Sequence, residues 1–435
     1  PKIIVGTPGR IGDHIEGTFM FHTLFEKLQW LVLDEADRLL ELSFAETLDI
    51  VDGVMPRNRR TVLCSATIPE VLLGKAQSWC HRGYAFVDCI GDTSSCQGDS
   101  EYSTPTPDSM GVVTPESMND KQFYVTCPAD KIVTALHNIL QDEITRSPYD
   151  HKIMVFFPTA RMTAFFSTLF NRQFRMPVIE MHKKRDQHER TLASAQFQTS
   201  ESAIMFTSDV SSRGMDYSDV SSVIQVMAPS HVDSYVHRVG RTARAGKEGT
   251  AVLLLPEEES NFASELTRQS IPLKPLPRSL QDPQWLLNTN DLTATALTGG
   301  WASSNGSMLH QAETMFSSLL AHLKSSRAKL RNSQIIAIAS GVVRSTGMST
   351  VPGVPEDLAQ KLGMLNEPDL RILRGFDSFG ESEASVLLLA MFRVRTIRPR
   401  LAFTPDRINV ERPLLKSEIK ANEIDQACGK SGNRK

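Results

Sequence analysis

Short continuous apolar runs punctuate the chain up to Ile90: Ile3-Ile4-Val5, Leu31-Val32-Leu33, Thr61-Val62-Leu63 and Ala85-Phe86-Val87. Helix-like stretches separate them, a pattern that predicts parallel strands buried on both faces of an α/β sheet. Each run ends in small or acidic residues, where such sheets carry their ligands. From Gly91 to Asp120 the periodicity disappears into Ser, Thr, Pro, Asp and Gly, which predicts a linker over 91–120. A second series follows, with strands expected at Gln122 to Thr126, Ile153 to Phe157, Ile204 to Phe206, Val223 to Val226 and Thr250 to Leu255. Asp130 to Ile144 reads as a helix, because Ile132, Val133, Leu136, Ile139 and Leu140 recur at 3-4 spacing. Past Pro256 the alternation stops. Met308, Leu309, Ala312, Met315, Phe316, Leu319, Leu320 and Leu323 then share one helical face, and helical patterning continues to about Leu401. The expected organisation is an α/β segment over 1–90, the linker, a second parallel-sheet domain over 121–270, a helical extension over 271–412 and a polar tail over 413–435.

Composition narrows the class. Hydrophobic residues make up 40% of the chain and charged residues 22%, with 25 Gly and 23 Pro, which excludes a collagenous, coiled-coil or wholly disordered polypeptide. The formal net charge of -3 removes the simplest signature of a nucleic-acid binder, a strongly basic domain; such binding has to come from local patches. No apolar run approaches the roughly 18 residues of a membrane span. The cysteines at 64, 80, 89, 96, 127 and 428 form no C-x-x-C pair and no zinc spacing, which suits a reduced compartment.

The most informative segment is Leu31-Val32-Leu33-Asp34-Glu35-Ala36-Asp37, where a buried strand runs straight into adjacent carboxylates. Asp and Glu delivered together at a strand end suit Mg²⁺-assisted nucleotide hydrolysis, in which one carboxylate holds the metal and the other orients water. Alone, the segment reads equally well as an acidic helix N-terminus. Its neighbours are ordered, however. Thr7-Pro8-Gly9-Arg10 precedes it and Ser65-Ala66-Thr67 follows the next strand. Later come Phe156 near a strand end, then His182, Gln187, Arg190 and Phe197 in the spacing H-x4-Q-x2-R-x6-F. Ser208-Asp209-Val210-Ser211-Ser212-Arg213-Gly214-Met215-Asp216 and His237-Arg238-Val239-Gly240-Arg241-Thr242-Ala243-Arg244 complete the series.

This series resembles the DEAD-box RNA helicases over residues 1 to about 255. The resemblance implies tandem RecA-like domains, the first incomplete, with ATP and Mg²⁺ as cofactors and RNA as partner. It implies that Asp34 holds Mg²⁺ through water, that Glu35 positions and deprotonates the attacking water, and that Asp216 reads the ribose or orders the phosphate site. His237 would bridge toward the acidic segment. Arg241 and Arg244 match the arginine fingers, expected on one helical face. Ser65 and Thr67, with Asp37 as hydrogen-bond partner, would couple nucleotide state to domain closure. Thr7, Gly9, Arg10, Gln187, Arg190, Ser208 and Gly214 match backbone-contacting positions for RNA. Hydroxyls, amides and arginines there suit phosphate and 2′-OH contacts without base readout. Two departures stand out: Ser208 where the family usually has Thr, and Lys183 where Gly usually follows the histidine. The run His182-Lys183-Lys184-Arg185 also reads as a solvated surface.

The phosphate-cradling G-x-x-x-x-G-K-[S/T] loop does not occur in the 435 residues: Gly74-Lys75-Ala76 and Gly429-Lys430-Ser431 both lack the leading glycine. A polypeptide of these residues is therefore expected to hydrolyse ATP negligibly, and the first segment to be unstable beside a self-sufficient second domain. A catalytically dead RNA-binding or scaffold protein is the alternative. Residues 354 to 365 and the alternating arginines Arg393, Arg395, Arg398 and Arg400 resemble the helical extension of fungal mitochondrial DEAD-box RNA chaperones. The alternating arginines offer a phosphate-binding strip or, equally well, a solvated amphipathic element; the resemblance implies a mitochondrial location and a role in RNA splicing, with a nuclear or nucleolar location as the alternative.

Overall fold

The computed structural model describes residues 2–39, 44–65, 70–80, 84–85, 87, 121–209, 217, 219–243, 248–282, 284–288, 297, 306–326 and 329–373. The chain divides into two compact units, Pro1–Ser378 and Phe379–Lys435, and the second, with Arg393 to Arg400 and the polar tail, lies outside the described residues. So does the linker over 91–120.

The Leu31 and Thr61 runs form β1 (Trp30–Leu33) and β2 (Arg60–Leu63), paired in parallel with Val32 opposite Val62. Helix α1 (Pro8–Gly17) starts with proline at its first turn, where the missing N–H is no loss. Helices α2 (Ala36–Leu39), α3 (Ala45–Gly53) and α4 (Glu70–Trp79) complete the segment. One sheet face packs Leu33 with Ala36, Leu48, Leu72 and Trp79. The other leaves Trp30, Val32 and Val62 in solvent. The Ile3-Ile4-Val5 run is not a strand: it is irregular, with Ile3 80% and Val5 92% exposed. A strand needs an adjacent backbone to take up its N–H and C=O groups, and none stands beside these residues among the described ones. Ala85 and Val87 are likewise outside any strand, and Phe86 lies outside the described residues.

The second α/β body is a seven-stranded, all-parallel sheet in the order β5-β6-β4-β7-β8-β3-β9. Its strands are β3 (Gln122–Cys127), β4 (Lys152–Phe156), β5 (Ile179–Met181), β6 (Ala203–Thr207), β7 (Ser222–Val226), β8 (Thr250–Pro256) and β9 (Lys274–Pro275). The expected strands are all present. Their continuous apolar runs follow from position, since every residue of β4 and β7 is buried. The unforeseen strands are the two edges: β5 has a glutamate at its centre and β9 contains a proline, which a sheet tolerates only at its rim. Covering helices are α5 (Ile132–Arg146), α6 (Ala160–Arg172), α7 (Gln187–Thr199), α8 (Val232–Val239) and α9 (Asn261–Arg268).

The extension contributes α10 (Pro277–Gln281), α11 (Gly306–Ser325), α12 (Asn332–Ser345) and α13 (Glu356–Leu362), plus a short parallel pairing of β10 (Val354–Pro355) with β11 (Ile372–Leu373). Among the described residues it has no core of its own. Met308, Met315, Phe316, Leu319, Ile335 and Val342 join Ile132, Phe157, Phe165, Phe166 and Phe170 in one cluster. A Cβ added to Gly341 in α12 would come within 2.6 Å of the Ala129 Cβ, so α12 sits against the entry to α5 as closely as glycine permits. The Asn138 amide of α5 donates to the carbonyls of Trp285, Leu286 and Asn288 at 3.0, 3.1 and 3.0 Å. Both the sheet and the core therefore run past residue 270.

Candidate nucleotide and RNA site

At the end of β1 the backbone leaves the sheet through two bonds to its neighbour: Cys64 N–H donates to Leu33 O, and Ala36 N–H to Cys64 O, both at 2.9 Å. Between them Glu35 adopts the left-handed region at φ 51°, a conformation that costs a non-glycine residue on the order of 1 kcal/mol. Its N–H is taken by Asp34 Oδ1 at 3.0 Å. This turn keeps Asp34 exposed and Glu35 half-buried while Ala36 packs fully beneath them. Two carboxylates thus meet solvent at the carboxyl end of a parallel strand. An exposed aspartate offers hard oxygen donors of the kind Mg²⁺ accepts while it keeps most of its waters.

Asp37, one turn on, faces inward. Its Oδ2 accepts from His237 Nε2 at 2.8 Å, with the two side chains 3% and 5% exposed. This bond spans 200 residues of sequence and joins the acidic segment to α8. Ser65 stands half-buried just past β2; Thr67 lies outside the described residues.

The expectation of both arginines on one helical face is corrected. Helix α8 ends at Val239, with Gly240 as its C-cap, so Arg241 sits in the following turn. Its side chain is buried, and its Nε donates back to the His237 carbonyl at 3.3 Å. Arg241 also lines a cavity of about 490 Å³ with Lys152, Tyr217, Asp219 and Glu248. Arg244 and Asp216 lie outside the described residues.

The residues expected to meet RNA fall in two places. Thr7 is the N-cap of α1, with Gly9 and Arg10 in its first turn; Thr7 and Arg10 are exposed. Gln187 and Arg190 occupy the first turn of α7, placed there by a capping box in which Asp186 Oδ1 accepts from Glu189 N–H (2.7 Å) and Glu189 Oε2 from Asp186 N–H (3.3 Å). Ser208, buried, directly follows β6, its N–H reaching Met181 O at the end of β5 at 3.4 Å. Gly214 lies outside the described residues. His182 is buried, donating from Nε2 to Glu180 Oε1 (2.6 Å) and accepting the Lys184 N–H at Nδ1 (3.2 Å). Of the run that also reads as a solvated surface, Lys183 and Lys184 are exposed, whereas His182 is buried and Arg185 is half-buried, paired with Glu180 and Glu189.

Arg238 was legible only as the neighbour of His237. It is 1% exposed; Nε and a terminal nitrogen reach Asp209 Oδ1 at 2.8 and 2.7 Å, and the guanidinium lies 5.4 Å from the Phe156 ring centre. Gln225 Oε1 accepts a third bond at 3.4 Å. Three sequence motifs, at Phe156, Asp209 and Arg238, therefore converge on one guanidinium. His322 of α11 borders this group, and no motif announces it: its Nε2 donates to the Ala228 carbonyl at 3.4 Å.

Residues 1–73 match the DEAD/DEAH box helicase family model, and residues 133–246 match the helicase conserved C-terminal domain. The chain is 32% identical over 375 residues to DEAD-box ATP-dependent RNA helicase 26 of Arabidopsis thaliana, covering 85% of this chain and 40% of that protein. Against the protein of the same name in Oryza sativa subsp. japonica it is 31% identical over 371 residues, covering 85% and 63%. The chain thus spans between 40 and 63% of the length of these relatives. In fold it is similar to Mss116p bound to single-stranded RNA and AMP-PNP, with TM-score 0.65 at 24% identity over 84% of this chain and 69% of that one. Among the described residues no helix is long and apolar enough to cross a membrane. With the ordered motifs, the parallel sheets and these matches in agreement, the chain belongs to the DEAD-box RNA helicase family.

Proposed function

We propose that this chain forms the RNA-gripping and closure-sensing part of an ATP-dependent RNA helicase that remodels RNA duplexes. The observation that carries the reading is the buried Asp37–His237 bond, which ties the strand-end carboxylates to the helix that leads to Arg241. In this reading Glu35 orients and deprotonates the attacking water, and Arg241 with Arg244 meets the developing phosphate charge. Asp34 would hold Mg²⁺ through water, and the ion neutralises phosphate charge when bound. Asp37 and His237, with Ser65 and Thr67, register whether the two segments are closed. Gln187, Arg190 and Ser208 at the α7–β6 end, with Thr7, Gly9 and Arg10 on α1, grip backbone phosphates and 2′-OH groups.

Single-stranded RNA binding by the 435-residue chain, followed by fluorescence anisotropy across a salt series, tests the RNA half. Affinity is expected to fall steeply with salt and to vary little with sequence. Salt-insensitive binding, or an Arg190→Ala variant that binds as tightly, would sink it. The second reading, an RNA-binding protein without turnover, draws on the absence of G-x-x-x-x-G-K-[S/T] from these residues. It predicts no RNA-stimulated phosphate release from the same polypeptide. For the compartment we propose the mitochondrial matrix and a role in RNA splicing, on the extension's resemblance; a fluorescent fusion that enters the nucleus instead would refute the location.

A further inference from the structure

The second body holds a cavity of about 300 Å³ that the nucleotide and RNA chemistry does not use. It opens between the segment Ala228 to Val232 that leads into α8, the segment Glu258 to Arg268, and Ser326 at the end of α11. Glu259 lines it and is 2% exposed. Its Oε2 accepts the Ala228 N–H at 3.0 Å; its Oε1 is buried with no hydrogen-bond partner. Burying a carboxylate oxygen unpaired is costly, and a native fold that keeps one has a partner still to supply. Glu258 and Glu265 stand at the same cavity. The one guanidinium there, Arg268, turns back to donate from Nε to its own helix at Ser264 O. Three carboxyl groups thus line the cavity, beside Arg268 and His231, and among the described residues Arg268 makes that single bond from Nε.

We propose that this cavity binds a guanidinium or primary ammonium head group, with Glu259 Oε1 as its principal acceptor and Glu258 and Glu265 as its charged rim. A cation supplies what Oε1 lacks: N–H donors and positive charge together. Desolvation raises the Glu259 carboxyl to about 7 against the Ala228 hydrogen bond, with Glu258 adding to the rise. An entering cation takes the place of that proton. Because the other oxygen of Glu259 holds the backbone just ahead of α8, the occupant bears on the helix that carries His237 and Arg238.

Calorimetric titration of the 435-residue chain at pH 8 tests this with agmatine, with an acetylated, amidated Gly-Arg-Gly peptide, and with butylurea as neutral isostere. The two cations separate a free amine from a protein side chain as the source. Saturable binding of either cation, absent for butylurea and weakened roughly tenfold or more by Glu259→Gln, is the expected result. Gln keeps an acceptor for the Ala228 N–H, so circular dichroism should be unchanged. Should that variant unfold, the Glu258→Gln/Glu265→Gln pair at the rim carries the test, with an expected loss of about threefold. Failure of both cations to bind, butylurea binding as tightly, or affinity unchanged in the folded variants overturns the proposal.

Discussion

Ala228 is held from both sides by titratable groups, and they make opposite demands on pH. Its N–H goes to Glu259 and its carbonyl receives His322. Desolvation lowers His322 to about 4, against the pull of the Ala228 hydrogen bond, with Arg238 lowering it further and Asp209 opposing. Between pH 4 and 6.5 the unfolded chain therefore binds a proton at His322 that the folded chain does not, and stability rises with pH. Glu259 does the reverse. Between pH 4.5 and 7 the folded chain keeps a proton that the unfolded chain has lost, and stability falls as pH rises. Each shift corresponds to about 3 kcal/mol at full extent, nearer about 2 for His322, which is only half-buried. In the shared window, pH 4.5 to 6.5, the two slopes oppose each other, at most about 1.4 kcal/mol per pH unit for Glu259 and less for His322. The perturbations are His322→Gln, which keeps a donor for the Ala228 carbonyl, and Glu259→Gln. Relative to the parent, His322→Gln should lose stability on raising the pH from 4.5 to 6.5, and Glu259→Gln should gain it. Hydrogen exchange in urea, read on peptides from β4 and β7, reports the opening of the body that holds both residues. Slopes parallel to the parent in both variants, or deviating in the same direction, would refute the reasoning.

Other perturbations probe the neighbouring contacts. Asp37→Asn and His237→Asn, singly and together, should show a coupling of about 1.5 to 3 kcal/mol in urea denaturation, since both side chains are buried and hydrogen-bonded to each other; strictly additive effects would show that the bond contributes nothing. Arg238→Lys should cost about 3 kcal/mol in the same assay, because an ammonium cannot reproduce the contacts to Asp209 and Gln225 over Phe156. An unchanged midpoint would contradict that. Gly341→Val should destabilise by about 1 to 3 kcal/mol through the Ala129 contact, and a raised melting temperature would show that α12 has room.

Much of the scaffold was legible in sequence because central parallel strands are buried on both faces and must be apolar throughout. β4, β6, β7 and β8 announce themselves for that reason. Edge strands carry no such demand, so β5 and β9 passed unnoticed, and an apolar run such as Ile3-Ile4-Val5 forms no strand without a partner backbone. For the candidate site, the motif spacings singled out Asp34, Glu35, Asp37, His237, Gln187 and Arg190, since each motif is short and local. They could not show that Arg241 lies beyond the end of α8, which depends on where the helix stops at Gly240.

Chain order and local pattern by themselves determined the family, the strands of the sheet interior and the candidate residues for phosphate and RNA contact. Only the tertiary structure decided that the extension completes the core of the second body, that Asp37 meets His237, and that Ala228 lies between Glu259 and His322. The reason is physical: those contacts join residues from 31 to 200 positions apart, and their burial comes from several elements at once. A single glutamate or histidine in an ordinary helical stretch carries no mark of what will enclose it.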